Sequence, residues 1–449
     1  MAKLFGTDGI RGIANRELDC ELALKVGRAV AEILSRENPD RPTVLLGCDT
    51  RASSDMLCAA ITAGLCSMGA DVIDLGTLPT PAVAYLTAKY QADAGIMVSA
   101  SHNPAEFNGI KILGKGGTKL SDDKELLIEE LILSDALRHS RVDGHKVGRK
   151  KTDHRAVSAY INHLLSSADC NFKGLRIALD CANGSASATA AQLFGQTGAE
   201  IHVLHDAPDG VNINRDCGST HLQNLAKYVK DRHLDCGIAF DGDADRCLLI
   251  DEHGNEVDGD AILAMCAKDM CERGCLRGKA VVGTVMSNLG LSKFCQENEL
   301  EFIAVKVGDR YVLEKMLERG YSLGGEQSGH IIFLDYATTG DGQLTAIQLL
   351  SLMSRRKQSL SQLASVMTRY PQTMVNVTVS PEGKAALPHN EIINKTVNDI
   401  CQQLGSSGRI LVRASGTEPL IRVMIEGEDL QLITELANKA AQVIREQLS

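Results

Sequence analysis

Hydrophobic and polar positions along this chain recur in one unit. A run of apolar, often β-branched residues is followed by a loop of Gly, Asp and Ser, and then by apolar residues at helical spacing. Runs of this kind lie at Thr43–Leu46, Ala94–Ser99, Arg176–Leu179, Gly237–Phe240 and Ala280–Val282. Strands that alternate with helices in this way are typical of α/β domains with mixed or largely parallel sheets.

The C-terminal part of the chain departs from that unit. Its pattern predicts, in chain order, a strand at Met374–Val379, a helix at Glu391–Leu404, strands at Ile410–Arg413 and Ile421–Glu426, and a helix at Leu430–Gln447. Three short strands and two helices in this order can form two layers, a sheet and a pair of helices, each with an apolar face toward the other. We therefore expect a small C-terminal α+β domain.

Three related α/β domains precede this small domain. The hydrophilic segment Arg138–Arg155, rich in Arg, Lys, His and Gly, marks the first boundary, and further boundaries lie near Gly254 and Pro371. The recurring unit is too irregularly spaced for a short tandem repeat. We predict domains at residues 1–155, 156–254, 255–370 and 371–449.

Composition narrows the class of protein. The 449 residues are 44% hydrophobic and 23% charged, as in ordinary globular proteins, which excludes bulk disorder and fibrous classes. No apolar run approaches the ~18–20 residues that span a bilayer, and the N-terminus has no apolar signal-peptide region. A net charge of −10 without a basic block argues against nucleic acid as a partner. We expect a cytoplasmic protein with neither a nucleic-acid nor a membrane partner.

The chain has 14 cysteines, which could mean disulfides or a metal site. They are scattered, and no CxxC pair occurs among them. The densest group, Cys266, Cys271 and Cys275, lacks a fourth ligand at the usual zinc spacing. We expect reduced thiols in a reducing compartment.

The strongest local signal is Asp241-x-Asp243-x-Asp245, directly after the apolar run that ends at Phe240. In extended backbone, residues i, i+2 and i+4 point to one side of the chain. Three carboxylates so placed repel one another unless a hard cation lies between them. The pattern favours a divalent metal site at the carboxyl end of a strand, where α/β sheets place their ligands. A solvated acidic turn is the plain alternative.

Two other kinds of metal-binding loop share part of this motif. An EF-hand requires Gly at position 6 of its loop, and Arg246 stands there, although Glu252 does fall at position 12. A haloacid-dehalogenase-type aspartyl nucleophile usually continues with Thr or Val where Asp245 stands. The first is excluded and the second stays a weaker alternative.

A second signal is the loop Ser99–Pro104, which contains Ser101 and His102. A serine in such a loop is either a nucleophile or a turn former. No G-x-S-x-G elbow surrounds it, and consecutive side chains usually point apart, so a Ser–His pair is not implied. A phosphorylated serine would be a natural partner for a divalent cation.

Two further loops can bind polar ligands. The segment Arg413–Pro419, with Arg422 downstream, combines small residues, hydroxyls and two arginines expected to be neighbours, which suits an anion; a turn with surface arginines is the alternative. The segment Gly324–His330 offers donors and acceptors for sugar hydroxyls or an amine. The chain has no Walker A motif and no G-x-G-x-x-G after a strand, so no nucleotide cofactor is indicated.

Together these motifs resemble the α-D-phosphohexomutase superfamily over essentially the whole chain. The resemblance rests on Phe5–Gly12, the Ser101 loop, the Asp241–Asp245 loop, Val307–Tyr311 and the Arg413 loop, in the family's order. Gln327, followed by Ser-Gly-His, matches members that act on glucosamine phosphate. Departures at Cys48, Ala244 and Ala414 are mild, and only Cys48 leaves a phosphate-binding role in doubt.

The resemblance implies four domains around a central cleft and an isomerase of hexosamine phosphates. Glucosamine 6-phosphate and glucosamine 1-phosphate would interconvert through a phosphoserine enzyme and a 1,6-bisphosphate, which is both intermediate and primer, toward UDP-N-acetylglucosamine. One Mg²⁺ ion per chain would assist, and a homodimer is permitted. The alternatives are a mutase for mannose or glucose phosphates, a Mg²⁺-dependent sugar phosphatase, and a sugar-phosphate-binding regulator without activity.

The resemblance also implies roles for individual residues. Ser101 would be the phosphoserine, and its phosphate would share the metal with Asp241, Asp243 and Asp245. The reaction centre would be lined by Arg11, Lys111 and His330, with Arg246 beside the metal. Lys111 is the first candidate for the general base and His330 the second. Sugar hydroxyls would contact Glu326 and Ser328, and the non-reacting phosphate would bind Arg413, Ser415, Gly416, Thr417 and Arg422.

Overall fold

A computed structural model of the chain describes residues 4–6, 8–38, 40–415 and 419–448. The chain divides into two compact units. The first contains the chain up to Met286 together with Leu300–Val366, and the second contains Ser287–Glu299 together with the chain from Met367 onward. Among the described helices, none is long and apolar enough to cross a membrane.

The N-terminal α/β domain is built on a mixed sheet whose strands lie in the order β1-β2-β6-β5-β3-β4-β7. Helix α1 begins after Asp19, whose side chain accepts a hydrogen bond from the Leu22 N–H, an N-cap that satisfies one otherwise unpaired donor. The elements are β1 (Phe5–Gly6), β2 (Gly9–Ile13), α1 (Cys20–Glu37), β3 (Thr43–Cys48), α2 (Ala52–Ser67), β4 (Asp71–Thr77), α3 (Thr80–Lys89), β5 (Ala94–Val98), β6 (Phe107–Gly114), α4 (Asp122–Leu133) and β7 (Lys150–Thr152).

The second α/β domain has the strand order β12-β11-β10-β8-β9. All five residues of β10 are buried, as expected for a central strand covered on both faces. Its elements are α5 (Ala156–Ser166), β8 (Arg176–Asp180), α6 (Ala190–Gly195), β9 (Glu200–Leu204), α7 (Gln223–Arg232), β10 (Cys236–Phe240), β11 (Cys247–Asp251) and β12 (Glu256–Val257).

The third sheet has the strand order β14-β13-β15-β16. Asp258 and Asp341 cap the helices that begin beside them, each through a backbone N–H three residues on. The elements are α8 (Gly259–Glu272), β13 (Ala280–Thr284), α9 (Leu289–Glu297), β14 (Glu301–Val305), α10 (Asp309–Arg319), β15 (Leu323–Gly325), β16 (Ile331–Phe333), α11 (Gly342–Arg356) and α12 (Leu360–Ala364). Of these, α9 belongs to the second compact unit.

The three sheets share one topological core. In the first, β4, β3, β5 and β6 are neighbours in that order; in the second, β9, β8, β10 and β11; in the third, β14, β13, β15 and β16. In each, the first three strands of the set pair in parallel and the last pairs antiparallel with its neighbour. The prediction of three related α/β domains with mixed sheets is confirmed.

The second compact unit is a small sheet with helices. Its antiparallel strands lie in the order β17-β19-β18, and α14 and α15 contribute apolar residues to the same core as the strands. Its elements, besides α9, are β17 (Gln372–Thr378), α13 (Pro381–Ala386), α14 (Glu391–Leu404), β18 (Gly408–Ala414), β19 (Leu420–Gly427) and α15 (Leu430–Leu448). The predicted two-layer α+β domain is therefore confirmed. Its strand β17 begins two residues and ends one residue earlier than predicted, and β18 and β19 are longer by one or two residues at each end.

Candidate active site

Three loops with predicted site residues occupy one topological position. Each follows the third strand of its shared core and precedes the antiparallel strand: Ser101 lies between β5 and β6, the aspartates lie between β10 and β11, and Glu326 lies between β15 and β16. The first two loops touch closely, because a Cβ added to Gly242 would lie 2.5 Å from the carbonyl oxygen of Ser101. Glycine is required at that contact for lack of space.

Ser101 lies at the tip of its loop in an unusual conformation. Its φ of 52° is left-handed, which few non-glycine residues adopt, and its side chain is buried. Its Oγ donates a hydrogen bond to Asp241 Oδ2 at 2.6 Å. The Oγ also lies 3.4 Å from His102 Nδ1, although sequence reasoning implied no such pair.

The three aspartates do converge, but not by the predicted route. One carboxylate oxygen from each lies within 4.8 Å of the others. The prediction of extended backbone here is wrong: the segment after Asp241 is a turn, and Ala244 has a left-handed φ of 55°. The turn brings the three side chains close together because it reverses the direction of the chain. Alternation along a strand would only place them on the same side.

The chemistry of this carboxylate group fits a hard divalent cation. Oδ1 of Asp243 and Oδ1 of Asp245 are buried and accept no hydrogen bond from any residue that the structure describes. Burial, and then the neighbouring Asp245 and Asp243, raise the pKa of Asp241 well above its usual value. Buried oxygens without donors are costly unless an ion supplies the missing partner. A merely solvated acidic turn is inconsistent with this burial.

Lys111, on β6, lies among carboxylates. Its Nζ is 2.8 Å from Asp243, 3.0 Å from Asp8 and 3.6 Å from Asp245. Burial would lower the pKa of Lys111, but these carboxylates outweigh burial and raise it. In this arrangement Lys111 is an ammonium ion and holds its proton.

His330 lies on the other side of Asp245. Its Nδ1 is 3.6 Å from Asp245 Oδ2, and its Nε2 accepts a hydrogen bond from the Gly340 N–H at 3.0 Å. This hydrogen bond places the ring proton on Nδ1, facing the carboxylate. Both candidates for the general base are thus brought to the aspartate loop, and neither presents a free lone pair here.

Sequence reasoning missed several polar residues of this centre. Lys119 bridges Asp8 and Asp309 at 2.8 and 2.7 Å, and Asp309 lies 3.6 Å from His330 Nε2. Thr80 donates a hydrogen bond to Asp243. Asp8 and Asp309 stand within motifs that were recognised, but nothing in the sequence around Lys119 or Thr80 indicates these long-range contacts.

Several donors in the first unit remain available to a ligand. Within the described ranges, the buried Ser328 Oγ, Arg11 Nε and Arg246 Nε have no hydrogen-bond partner. Glu326 accepts a hydrogen bond from the Gly308 N–H at 3.1 Å, so its carboxylate is already oriented. Positively charged donors and a serine hydroxyl beside a carboxylate suit a phosphorylated, polyhydroxylated ligand.

The predicted phosphate-binding arginines lie together in the second unit. Arg413 and Arg422 are directly paired across β18 and β19, as predicted. Burial and the neighbouring Arg422 lower the pKa of Arg413. Two adjacent cations of this kind favour an anion between them. The Ser415 N–H donates to the Leu420 carbonyl, while the predicted ligands Gly416 and Thr417 lie outside the described residues.

The cysteines carry none of this chemistry. All 14 are free thiols, and Cys266, Cys271 and Cys275 are not grouped as metal ligands in the described part of the chain. A different group, Asp180, His205 and Cys217, does converge. Its Asp180 oxygens accept hydrogen bonds from two backbone N–H groups, which gives that carboxylate a structural role.

Family models match the chain along its length. The phosphoglucomutase/phosphomannomutase models for α/β/α domains I, II and III match residues 2–139, 158–254 and 258–370, and the C-terminal domain model matches residues 374–443. The phosphoglucosamine mutase of Clostridium botulinum (strain 657 / Type Ba4) is 50% identical over 445 residues, 99% of each chain. That of Alkaliphilus oremlandii (strain OhILAs) is 49% identical over 449 residues, the whole of both chains.

Solved structures have the same fold. A phosphoglucomutase/phosphomannomutase family protein from Burkholderia thailandensis aligns with a TM-score of 0.85 at 23% identity over 100% of this chain and 98% of that chain. Aspergillus fumigatus N-acetylphosphoglucosamine mutase, in complex with GlcNAc-6P and magnesium, aligns with a TM-score of 0.68 at 16% identity over 100% and 97%. The resemblance seen in the motifs is confirmed, and the chain belongs to the phosphoglucomutase/phosphomannomutase family of the α-D-phosphohexomutase superfamily.

Proposed function

We propose that this enzyme interconverts glucosamine 6-phosphate and glucosamine 1-phosphate through phosphorylated Ser101 and a 1,6-bisphosphate intermediate. One observation carries the proposal: the Ser101 Oγ lies 2.6 Å from Asp241, a member of a buried carboxylate group in which two oxygens accept no hydrogen bond from the described residues. A phosphate on Ser101 would lie beside those oxygens. The choice of sugar rests on relatives named phosphoglucosamine mutase that are about half identical from end to end.

The three aspartates, together with the phosphate on Ser101, would hold a Mg²⁺ ion. The ion would balance the negative charge of the transferring phosphoryl group. Transfer breaks the bond between phosphorus and Ser101 Oγ and forms a bond to the free sugar hydroxyl, whose proton must leave. After the bisphosphate reorients, its other phosphoryl group returns to Ser101, and the enzyme is again phosphorylated.

The role of Lys111 as the acceptor of that proton remains a prediction. To act as a base, Lys111 must first lose its own proton. Lys111 keeps its own proton while Asp8, Asp243 and Asp245 surround it. If a bound cation neutralised Asp243 and Asp245, most of the stabilisation of the Lys111 ammonium ion would be lost. Burial would then favour neutral Lys111. His330 is the second candidate, and for it the Gly340 hydrogen bond would have to break.

Binding of the sugar phosphate is assigned to two sets of residues. Glu326 and the Ser328 hydroxyl, which has no hydrogen-bond partner among the described residues, are proposed to contact sugar hydroxyls. Arg11 and Arg246 are proposed to donate toward the reacting phosphate. Arg413 and Arg422, with Ser415, Gly416 and Thr417, are proposed to hold the phosphate that does not react. Because either end of the sugar phosphate must be bound, the arginine pair should recognise phosphate geometry more than the ring.

An isomerisation assay tests the proposal. The 6-phosphates of glucosamine, glucose and mannose are each supplied with Mg²⁺ and a trace of the matching bisphosphate, and 1-phosphate and inorganic phosphate are both measured. We expect glucosamine 6-phosphate to give the largest kcat/KM. A larger value for glucose or mannose phosphate would reassign the substrate, and stoichiometric release of inorganic phosphate would indicate a phosphatase.

The Ser101→Ala variant tests the phosphoserine itself. We expect the wild-type protein to carry phosphate on Ser101 by intact-mass and peptide analysis, and the variant to lose turnover with an unchanged circular dichroism spectrum. His102→Ala is a suitable control, because it removes the neighbouring ring and leaves the hydroxyl. Turnover near the wild-type rate in the serine variant would refute the assignment.

A further inference from the structure

Both main-chain polar groups of Ser101 are held by one buried ion pair. The Ser101 N–H donates to Ser99 Oγ at 3.0 Å, and Ser99 Oγ donates to Asp49 Oδ2 at 2.6 Å. The Ser101 carbonyl accepts a hydrogen bond from Arg51 Nη2 at 3.0 Å. Asp49 and Arg51 therefore reach the two ends of the residue that carries the reactive hydroxyl.

The Asp49–Arg51 pair is fully enclosed. Both side chains are 0% exposed, and Arg51 Nε donates to Asp49 Oδ2 at 2.9 Å. Asp49 Oδ1 also accepts hydrogen bonds from the Arg51 N–H and the Ser54 hydroxyl, both at 3.0 Å. A buried pair with its remaining lone pairs satisfied has one geometry rather than several.

The guanidinium of Arg51 holds more than Ser101. It donates to the carbonyls of Ser101 and Asn103 through Nη2, the latter at 2.8 Å, and to the carbonyl of Pro104 through Nη1. A planar group with fixed donor directions can fix three carbonyls at once, which an ammonium on a flexible chain cannot do. The loop from Ser101 to Pro104 is thus shaped around this single side chain.

The second domain adds a further contact to the same loop. Asn214 Nδ2 donates to the Ser101 carbonyl at 2.9 Å and to the Asn103 carbonyl at 3.0 Å. The Ser101 carbonyl therefore accepts hydrogen bonds from two side chains, Arg51 of the first α/β domain and Asn214 of the second. Asn214 is buried, so bulk water does not compete for these hydrogen bonds.

Such bracing is needed because Ser101 is strained. A left-handed φ of 52° costs a serine about 1–2 kcal/mol relative to ordinary backbone. Without the hydrogen bonds at both ends of the residue, the peptide would relax toward negative φ. That rotation would move Oγ away from Asp241, which it now contacts at 2.6 Å.

We propose that Asp49 and Arg51 are positioning residues that hold Ser101 in its left-handed conformation, with Oγ aimed at the metal-binding aspartates. The proposal rests on the proposed function, in which Ser101 is the phosphorylated residue. Asp49 and Arg51 touch neither the sugar nor the transferring phosphate in this role. Their loss should slow phosphoryl transfer and leave the binding of the sugar phosphate nearly unchanged.

Two variants test the proposal from opposite ends of Ser101. Arg51→Lys keeps the charge but cannot donate to three carbonyls, and Ser99→Ala removes the acceptor for the Ser101 N–H with little loss of volume. Misplacement of a reacting group by about 1 Å lowers rates about 100-fold, so we expect a kcat loss of that order for Arg51→Lys and a smaller one for Ser99→Ala. KM should change by less than about threefold in both variants, because neither substitution removes a contact with the substrate.

Phosphorylation of Ser101 gives a readout that a purely structural residue would not move. Each variant is incubated with the 1,6-bisphosphate, and the rate at which Ser101 gains phosphate is followed by intact mass. Arg51→Ala with added guanidinium ion should regain part of this rate, whereas methylammonium should not restore it. Arg355→Ala is the control for lost stability, because it breaks ion pairs with Asp169 and Asp269 in the same unit.

The outcomes separate the two claims. Wild-type protein that gains no phosphate on Ser101 refutes the proposed function and the positioning role with it. Wild-type protein that gains phosphate, while Arg51→Lys and Ser99→Ala do so at the same rate, refutes the positioning role alone. A raised KM with unchanged kcat in these variants also refutes it, as does an equal loss of phosphorylation rate in Arg355→Ala.

Discussion

Replacement of Asp243 with Asn tests the proposed metal site, because its expected effects on the metal-free and metal-bound protein differ in sign. The carboxylate oxygens of the group lie within 4.8 Å of one another. At that separation or less, and with an effective dielectric constant of about 20, each pair of charged carboxylates repels by at least about 3 kcal/mol. The substitution removes the two repulsions that involve Asp243 from the metal-free protein. It also removes an anionic ligand from the cation.

We therefore expect metal-free Asp243→Asn to melt at the wild-type temperature or above it. Lys111 loses one partner but keeps Asp8 at 3.0 Å and Asp245 at 3.6 Å. The stabilisation by Mg²⁺ should shrink at the same time. A net loss of about 3 kcal/mol in ion binding raises the Mg²⁺ midpoint about 100-fold, and the isomerisation rate at fixed Mg²⁺ should fall with it.

The assay is thermal unfolding over a Mg²⁺ titration after treatment with a chelator, with isomerisation measured on the same samples. Asp251→Asn is the matched control, because this buried aspartate at the end of β11 accepts N–H groups of its own turn. It should lose stability equally with and without Mg²⁺. An unchanged Mg²⁺ response in Asp243→Asn, or an equal loss of stability in both states, would refute the reasoning.

Three further predictions concern other parts of the chain. Arg422→Ala should raise KM at least about tenfold with little change in kcat, and steady-state kinetics showing an unchanged KM would remove it from phosphate binding. The Tyr160 hydroxyl donates to both oxygens of Asp341 at 2.9 and 2.8 Å, and burial raises the pKa of Asp341 to about 6. The raised pKa means that the folded protein holds the Asp341 proton more tightly than the unfolded chain does. It therefore adds to the free energy of unfolding at low pH, and this contribution is lost as pH rises to about 6, where folded Asp341 becomes charged. Tyr160→Phe should therefore cost about 1–3 kcal/mol in urea unfolding at pH 8 and less at pH 5, and equal costs would contradict this. Cys20 and Cys401, the exposed thiols, should react first with a thiol reagent, and slow reaction of both would contradict the burial seen here.

The hydrophobic pattern predicted the strands of the α/β domains well, because a buried central strand leaves an unbroken apolar run. The runs at Thr43–Leu46 and Gly237–Phe240 correspond to β3 (Thr43–Cys48) and β10 (Cys236–Phe240), which extend them by two residues and one. The extra residues, such as Cys48, pair in the sheet although they lie outside the apolar run that predicted the strand. Tertiary pairing rather than local preference sets these ends.

The site was predictable only where a motif carries its own chemistry. The aspartates were predicted from the sequence to bind a metal through convergence in extended backbone, whereas a turn through Ala244 brings them together. Lys119 and Thr80 could not be found, because their partners lie far along the chain. The same holds for Arg51, whose role depends on three carbonyls about fifty residues away.

The shared topology explains why chemistry and support lie on different loops. In the first two domains, the loop after the third strand of the core carries Ser101 or the aspartates, and the loop after the second strand, β3 or β8, carries Arg51 or Asn183. The loops after β3 and β8 hold the loops after β5 and β10 in place: Arg51 donates to the Ser101 carbonyl, and the Ser185 N–H donates to the Gly242 carbonyl at 2.8 Å. They also hold each other, since the Thr50 hydroxyl donates to the Asn183 carbonyl. Parallel neighbouring strands place these loops at one edge of each sheet. A substitution in a supporting loop should therefore alter the reaction rate without touching the substrate, and substitutions in the two supporting loops should be coupled through the Thr50–Asn183 contact.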